Sequence, residues 1–433
     1  MAERNPATWG AWAAACALTA VGGIWMGHAA PLAPIETFCV DADATGYATF
    51  QSHNQKVVSN GRGYFMAYLR RRNEPYTAQQ WRLVWSRDGG RTWSTLHEET
   101  NATNPPCLET DEQDNLYLVR PDWGNAEWAQ NKSYLYRFLA RDDYARPIIT
   151  EIPNSVHGKF ALEIDEPRGQ LYYFSANNTF HVIGLGGEVR RSVTLLAEGE
   201  HAVTQYPSLH LDRDGVLYAA WTTQKKGVYL YWDIHVMVSP DGGETWGKLD
   251  GTPLEPPLVC DDSGPTDRVS LDDEFEAHTW LSNFLARAGK LHCFYESQLQ
   301  PPRGRYVRYD LATARPDVDL MPRFGGETFE FCRLDGFFAA DPDQPEGPLF
   351  CVGNGPQTSD RVACLISRDN GATWHDYAVS DATFGPLYSI TGCRRVTRDG
   401  YVIGAFTETA TGGAVGSAAK VYFIRIPAPP ASE

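Results

Sequence analysis

Six short stretches of the chain set a polar or aromatic side chain capable of chemistry just before an apolar run. His53, Asn54, Gln55 and Lys56 precede "VV"; His157 and Lys159 precede "FALEID"; Gln205 and Tyr206 precede "PSLHLD". His278 and Trp280 precede "LSNFLA", Arg333 and Asp335 precede "GFFAA", and Tyr388 precedes "SITG". Such a set suits cleavage of a uronic-acid glycan by elimination. The proton next to a uronate carboxylate is weakly acidic, so a cation must neutralise the carboxylate, a base must take the proton and an acid must protonate the leaving oxygen. Arg333 fits the first task, because a guanidinium holds a carboxylate through two hydrogen bonds. His53 or His278 fits the base, and Tyr206 or Tyr388 the acid. Asn54, Gln55, Lys56, Lys159 and Tyr388 are expected to contact substrate, with Trp280 as a sugar-stacking platform. A plainer reading stands beside each: a His closing a strand as a satisfied structural residue, Arg333 paired with Asp335, Trp280 packed in the core.

These residues need elements that carry them to one place. Each stretch opens a strand–polar turn–strand cadence, as in "HNQKVVSNGRGYFMAY" (53–68) and "YPSLHLDRDGVLYAAW" (206–221). The cadence recurs from residues 105, 160, 280, 337 and 391, mostly 46 to 57 residues apart with one interval of 74. A repeat near this length with several short strands per unit predicts an all-β, four-stranded-blade propeller, with seven blades counted and six left open. The long interval holds a Pro- and Asp-rich insertion before residue 280. In a propeller the inner strands start around one central channel, so the six stretches converge there.

A second repeat is shorter. "SRDGGRTW" (86–93), "SPDGGETW" (239–246) and "SRDNGATW" (367–374) each follow an apolar run. Gly or Asn at the fourth place and Gly at the fifth supply positive φ for a tight turn. Asp88, Asp241 and Asp369 can then accept hydrogen bonds inside it, so the motif reads as a structural staple. S-x-D-x-G-x-T-W is the Asp-box, or bacterial neuraminidase repeat, and on it the chain resembles the sialidase superfamily of propellers. That resemblance implies the fold and leaves the activity open, since Asp-boxes occur in sialidases, other glycosidases, lyases and binding propellers. A sialidase needs three Arg around the sialic acid carboxylate, the first usually in an early F/Y-R-I-P. Here "IRIP" stands at 424–427, at the other end of the chain. The stretch "SHNQKVV" (52–58) resembles instead the catalytic strand of seven-bladed polysaccharide lyases and related glycoside hydrolases, which implies a uronate-rich substrate.

Composition narrows the classes further. The 433 residues carry a formal charge of −16, and the acidic balance argues against nucleic acid, which needs a basic face. Asn5 to Ile35 holds no Lys, Arg, Asp or Glu. Residues 1–35 are expected to be a signal peptide or N-terminal membrane anchor, 36–427 the propeller and 428–433 a tail. The propeller is then exported, and touches a membrane only through the N-terminal segment. The nine Cys form no C-x-x-C pair, so zinc is not expected; most read as small buried hydrophobes, with one or two disulfides open after export. No cofactor is expected. "CDDSGPTD" (260–267) and "SLDDEFE" (270–276) leave structural calcium open against the reading of a solvated acidic loop. The leading function is cleavage of an acidic glycan by elimination or hydrolysis. An exo-sialidase and a non-catalytic glycan- or protein-binding propeller remain the alternatives.

Overall fold

The computed structural model describes residues 31–71, 79–102, 104–121, 132–155, 158–261, 264–271, 278–297, 303–329, 336–354, 360–409 and 418–430. The expectations placed on residues 1–30, His157, Asp262, 272–276, Arg333, Asp335 and 431–433 lie outside them. Among the described residues no helix is long and apolar enough to cross a membrane.

Apolar runs of four to ten residues alternate with turns, and the inner runs of each blade bury most of their side chains, while outer strands such as Val189–Thr194 and Arg315–Leu320 stay partly exposed. Short strands that are buried on both faces must stack face to face, and here they do so as four-stranded antiparallel blades. The inner strands are Val57–Asn60, Cys107–Thr110, Ala161–Asp165, Ala202–Leu211, Trp280–Arg287, Phe337–Ala340 and Leu387–Gly392. Each inner strand packs beside the next, and the seventh packs beside the first, so seven blades close a ring. Blade seven is built from both ends of the chain: Glu36–Thr45 pairs antiparallel with Ala418–Pro427 as its outer strand. Arg425 of "IRIP" belongs to this closure. Its guanidinium grips Glu36 (Nε–Oε2 2.6 Å) and lies over the Tyr401 ring at 4.3 Å, which leaves it no part in carboxylate recognition.

All three Asp-boxes follow the third strand of a blade, in blades one, four and six, and share one hydrogen-bond pattern. In the first, Ser86 Oγ donates to Asp88 Oδ1 (2.9 Å) and accepts the Gly90 N–H (2.8 Å). Thr92 gives its N–H to Oδ1 (2.9 Å) and its hydroxyl to Oδ2 (2.6 Å). Asp241 and Asp369 repeat these bonds. The motif also reaches outside its own blade, which the sequence did not reveal. Gly90 adopts φ +87°, and a Cβ there would strike the ring of Phe423 on the preceding blade. The box Trp packs edge-on against the same neighbour: Trp93 on Phe423, Trp246 on Phe180 and Trp374 on Tyr306, with centroids 5.2–5.4 Å apart. The staple is therefore an inter-blade joint as well as a turn.

Cys107, Cys260, Cys293, Cys351, Cys364 and Cys393 are buried free thiols, and Cys39 is exposed and free. In the acidic insertion Asp261 is committed to the backbone N–H groups of Glu200, His201 and Ala202 (2.8–3.0 Å), and Asp267 to that of Leu249 (2.6 Å). These two carboxylates pin the insertion to blade four.

Because Asp241 satisfies backbone donors that have no other partner, Asp241→Ala is expected to cost about 1–3 kcal/mol, measured by urea denaturation. Turnover per folded molecule should stay at the wild-type level, because the box does not line the candidate cleft. A folded but inactive variant would contradict the structural role.

Candidate active site at the channel mouth

Two bulges shape the mouth. The inner strand of blade four breaks register between Gln205 and Ser208, and that of blade seven between Tyr388 and Thr391. A bulge re-aims side chains. At the first, Tyr206 takes φ +50°, and at the second, Ser389 takes φ +53°, a conformation that costs a residue other than glycine about 1 kcal/mol or more. Tyr206 is thereby turned into a cleft of about 410 Å³ whose wall also includes Phe50, Lys159, Gln205, Asn178 and Glu198.

Lys159, just ahead of the inner strand of blade three, reaches across to blade four. Its Nζ bonds Gln205 Oε1 and stands 4.2 Å from the centre of the Tyr206 ring. Burial lowers its ammonium to about 8, so it is charged, but weakly solvated, at neutral pH. Glu198, the one carboxylate on the cleft wall among the described residues, is ion-paired with Lys226 at 3.1 Å.

His53 lies one layer below. It is 3 % exposed, and its ring meets Tyr206 edge to face with centroids 6.0 Å apart. Neither ring nitrogen makes a hydrogen bond of good geometry. Burial, then the charges of Lys56 and Arg394, lower its imidazolium to about 3, so the ring is neutral. Burial also raises the Tyr206 phenol well above its usual range, with the Tyr231 phenol adding to the effect, so Tyr206 holds its proton.

The structure thus gathers Tyr206, Lys159 and His53, and gives their sequence neighbours other work. Asn54 bonds the Phe160 carbonyl and Gln51 Oε1. Lys56 is fully buried and points its Nζ at the carbonyls of Gln51 (3.4 Å) and Asn54 (3.5 Å). Gln55 turns into the channel, with Nε2 on Glu109 (2.8 Å) and Oε1 under the Arg394 N–H (2.8 Å). None of these three lines the cleft; they hold the loop that carries His53. Tyr388 stacks on Phe50 (6.4 Å, 6°), and Phe50 in turn meets Tyr206 edge-on. Trp280 is buried against Tyr231 (4.1 Å) and Tyr206 (5.4 Å). His278 accepts the Tyr231 N–H at Nδ1 (3.2 Å), which places its ring proton on Nε2 and makes it a brace of this aromatic cluster. Phe50 and Tyr231 escaped the sequence reading. The aromatic run "YLYW" (229–232) signalled the second, but it opens a third strand and not an inner one.

Below the cleft the channel is closed by charge. The buried Arg394 of blade seven is ion-paired with Glu163 of blade three and donates to the Leu209 carbonyl of blade four (2.9 Å). Burial lowers its guanidinium and raises the Glu109 carboxyl, each being drawn back by the other's charge. A larger cavity of about 600 Å³ opens at the opposite end, past the ends of the inner strands. Its wall carries Glu109, Asp111, Glu112, Glu166, Asp341 and Asp343 against Arg395 and Arg398, a surplus that repels an acidic glycan.

No protein-family model matches the chain, and no curated protein matches it in sequence. Solved structures do match. An ulvan lyase described as representing a new polysaccharide lyase family, PL25, superposes with TM-score 0.62 at 13 % identity over 90 % of this chain and 95 % of its own. The same enzyme bound to -[GlcA(1-4)Rha3S]- gives 0.62 at 12 % over the same shares. The polysaccharide lyase Uly1 gives 0.56 at 9 % over 92 % and 100 %. The chain has the propeller fold of these lyases.

Removing Arg394 would leave Glu163 and Glu109 buried and uncompensated. Arg394→Met is expected to destabilise by about 3–5 kcal/mol, read by thermal and urea unfolding. Adding Glu163→Gln should recover part of that loss. Equal stability of wild type and Arg394→Met would show that the clamp contributes nothing.

Proposed function

We propose that the chain cleaves a uronate-containing glycan by elimination at the Tyr206 cleft. The observation that carries this reading is Tyr206 itself: a protonated phenol, held in a left-handed bulge, with the Lys159 ammonium over its ring and a neutral imidazole at its edge. Lys159 takes the role of carboxylate neutraliser, as the cation on the cleft wall among the described residues. Neutralising that carboxylate acidifies the adjacent C5 proton. His53 takes the proton; the C5–H electron pair becomes the C4=C5 double bond, the C4–O bond breaks, and Tyr206 protonates the departing oxygen. Both His53 nitrogens are covered in this structure, so substrate must shift Tyr206 or Phe50 to reach them; such contacts commonly tighten only with substrate bound. An arriving carboxylate also offsets the Lys56 and Arg394 charges, which add to the burial that holds His53 down, and so raises its basicity.

Elimination is favoured over two-carboxylate hydrolysis because the described cleft wall offers Glu198 alone, already ion-paired. The fold shared with ulvan lyases, one of them solved with a glucuronate–rhamnose fragment, supports an acidic polysaccharide as substrate.

Ulvan is the first substrate to try. Elimination should give unsaturated ends absorbing in the ultraviolet. Tyr206→Phe and His53→Ala should lower turnover by about 10²–10⁴ with the fold intact. Reducing ends without that absorbance would mean hydrolysis, and binding without any product would mean a recognition module. Full turnover by folded Tyr206→Phe would remove Tyr206 from the chemistry.

Lys159 gives a second test. Its ammonium must be charged to hold a carboxylate, and burial has lowered it to about 8. Hence kcat/KM should be level below that value and fall as pH rises through it. Lys159→Arg should move the fall to higher pH, and Lys159→Met should abolish it along with most activity. A wild-type profile flat to pH 10 would overturn this role for Lys159.

A further inference from the structure

A hairpin of blade four is tied to the cleft wall through the Lys226–Glu198 ion pair and carries an aromatic residue that the chemistry above does not use. Between Leu217–Lys225 and Tyr231–Ser239 its tip reads Lys226-Gly227-Val228-Tyr229-Leu230. Tyr229 is 67 % exposed and Val228 51 %. Hairpin tips are normally polar and mobile. This one is apolar, and it is pinned. Lys225 N–H bonds the Leu230 carbonyl (2.8 Å), Lys226 N–H bonds the His201 carbonyl (2.7 Å), and Lys226 Nζ bonds the Gly199 carbonyl (2.8 Å) beside its ion pair with Glu198.

The Tyr229 ring stands edge-to-face with Tyr231 (5.3 Å), His278 (5.0 Å) and Trp280 (6.5 Å). Tyr231 and Trp280 are the rings that pack against Tyr206. An unbroken aromatic path therefore runs from the cleft to Tyr229. Its inner members are buried, its outer member keeps ring surface open to solvent, and its anchorage sets the orientation in advance. On the same hairpin Lys225 holds its Nζ 5.1 Å from the centre of the Trp232 ring.

We propose that Tyr229 is a stacking subsite for a sugar of the glycan chain, one or two units from the uronate held at Lys159. The C–H face of a pyranose ring suits a fixed aromatic surface, since the area removed from water is gained with little ordering cost. Lys225 adds attraction for an anionic polymer. The subsite rests on the reading of the cleft as a glycan site, and it confers preference for polymers over short fragments.

The test compares wild type, Tyr229→Ala and Tyr229→Trp on ulvan and on its disaccharide-repeat oligosaccharides. Binding is measured in parallel, by affinity electrophoresis through ulvan, in the Tyr206→Phe background with and without Tyr229→Ala. Tyr229→Ala should raise KM for the polymer about tenfold, and the loss should fall on KM and not on kcat. The penalty should shrink on the shortest oligosaccharide that is cleaved, and Tyr229→Trp should restore polymer affinity. Unchanged KM and unchanged mobility in Tyr229→Ala, with wild type cleaving ulvan, would overturn the subsite while the cleft reading stands. Retardation that depends on Tyr229 in a protein that releases no product would keep the subsite and overturn the catalytic reading. Neither retardation nor product from wild type would overturn both.

Discussion

The ring stays closed because one strand from the start of the described chain completes the blade made by its end. Seven twisted sheets around an axis leave two free edges, and free edges are an aggregation hazard. Glu36–Thr45 covers the one that Ala418–Pro427 would present, and a single ladder pair, Ala44 with Arg70, ties it to blade one. The Arg425–Glu36 ion pair locks that seam. Every other position depends on it, because the inner strands converge on the channel only if the ring cannot open. Seven inner strands then crowd polar loop groups together with little water to solvate them. The buried Arg394 answers that constraint by drawing a carboxylate and a carbonyl from separate blades onto its guanidinium and a side-chain amide from a third onto its backbone N–H.

That clamp also sorts the charge along the axis. Glu163 and Glu109 would otherwise bring negative potential up to Tyr206. Arg394 offsets both charges below the cleft, whose wall carries Lys159 beside the ion-paired Glu198. The opposite mouth keeps a carboxylate surplus. An acidic glycan therefore meets attraction at one end of the channel and repulsion at the other, although the chain as a whole is acidic. Net charge bears on partners only through such local arrangement.

The blades were legible in the sequence because each is a local object: two or three apolar runs with turn residues between them, written again every fifty residues or so. The Asp-box turns were legible for the same reason, since Ser, Asp, Gly and Thr satisfy one another within eight residues. Their second task was not, because Phe423, Phe180 and Tyr306 lie far away in sequence or in the preceding repeat. The level of the candidate cleft was legible too: counting back from aligned inner strands reached Lys159 and Tyr206 on its wall, and His53 and Tyr388 beside them. Which of these would face the cleft was hidden, because it turns on two bulges. Gln205 and Tyr206 are adjacent, and so are Asn54, Gln55 and Lys56, yet left-handed backbone at Tyr206 and a tight turn before Val57 send neighbours in different directions. Arg394 was passed over because "TGCRR" read as one more strand start, and nothing nearby in the chain announces a partner in blade three.

The same contrast bears on what the cleft is for. Lys56 and Lys159 are both lysines that burial has lowered to about 8. Lys56 spends its ammonium on loop carbonyls and is closed off on all sides, which is what a structural cation does. Lys159 has one amide oxygen and an aromatic face for partners, and beside it open a cleft and a phenol held in a costly backbone conformation. A polar side chain left under-satisfied costs stability, as does left-handed backbone at a residue other than glycine. The described cleft collects both within one ring's width, above an imidazole with no good hydrogen bond. Left-handed backbone and buried polar atoms without a good hydrogen bond occur elsewhere in the blades as well, but here they fall together beside open volume that a ligand could fill. On the proposed reading an anionic sugar would relieve the desolvated Lys159 ammonium, and stabilisation by such a ligand would offset the strain at Tyr206.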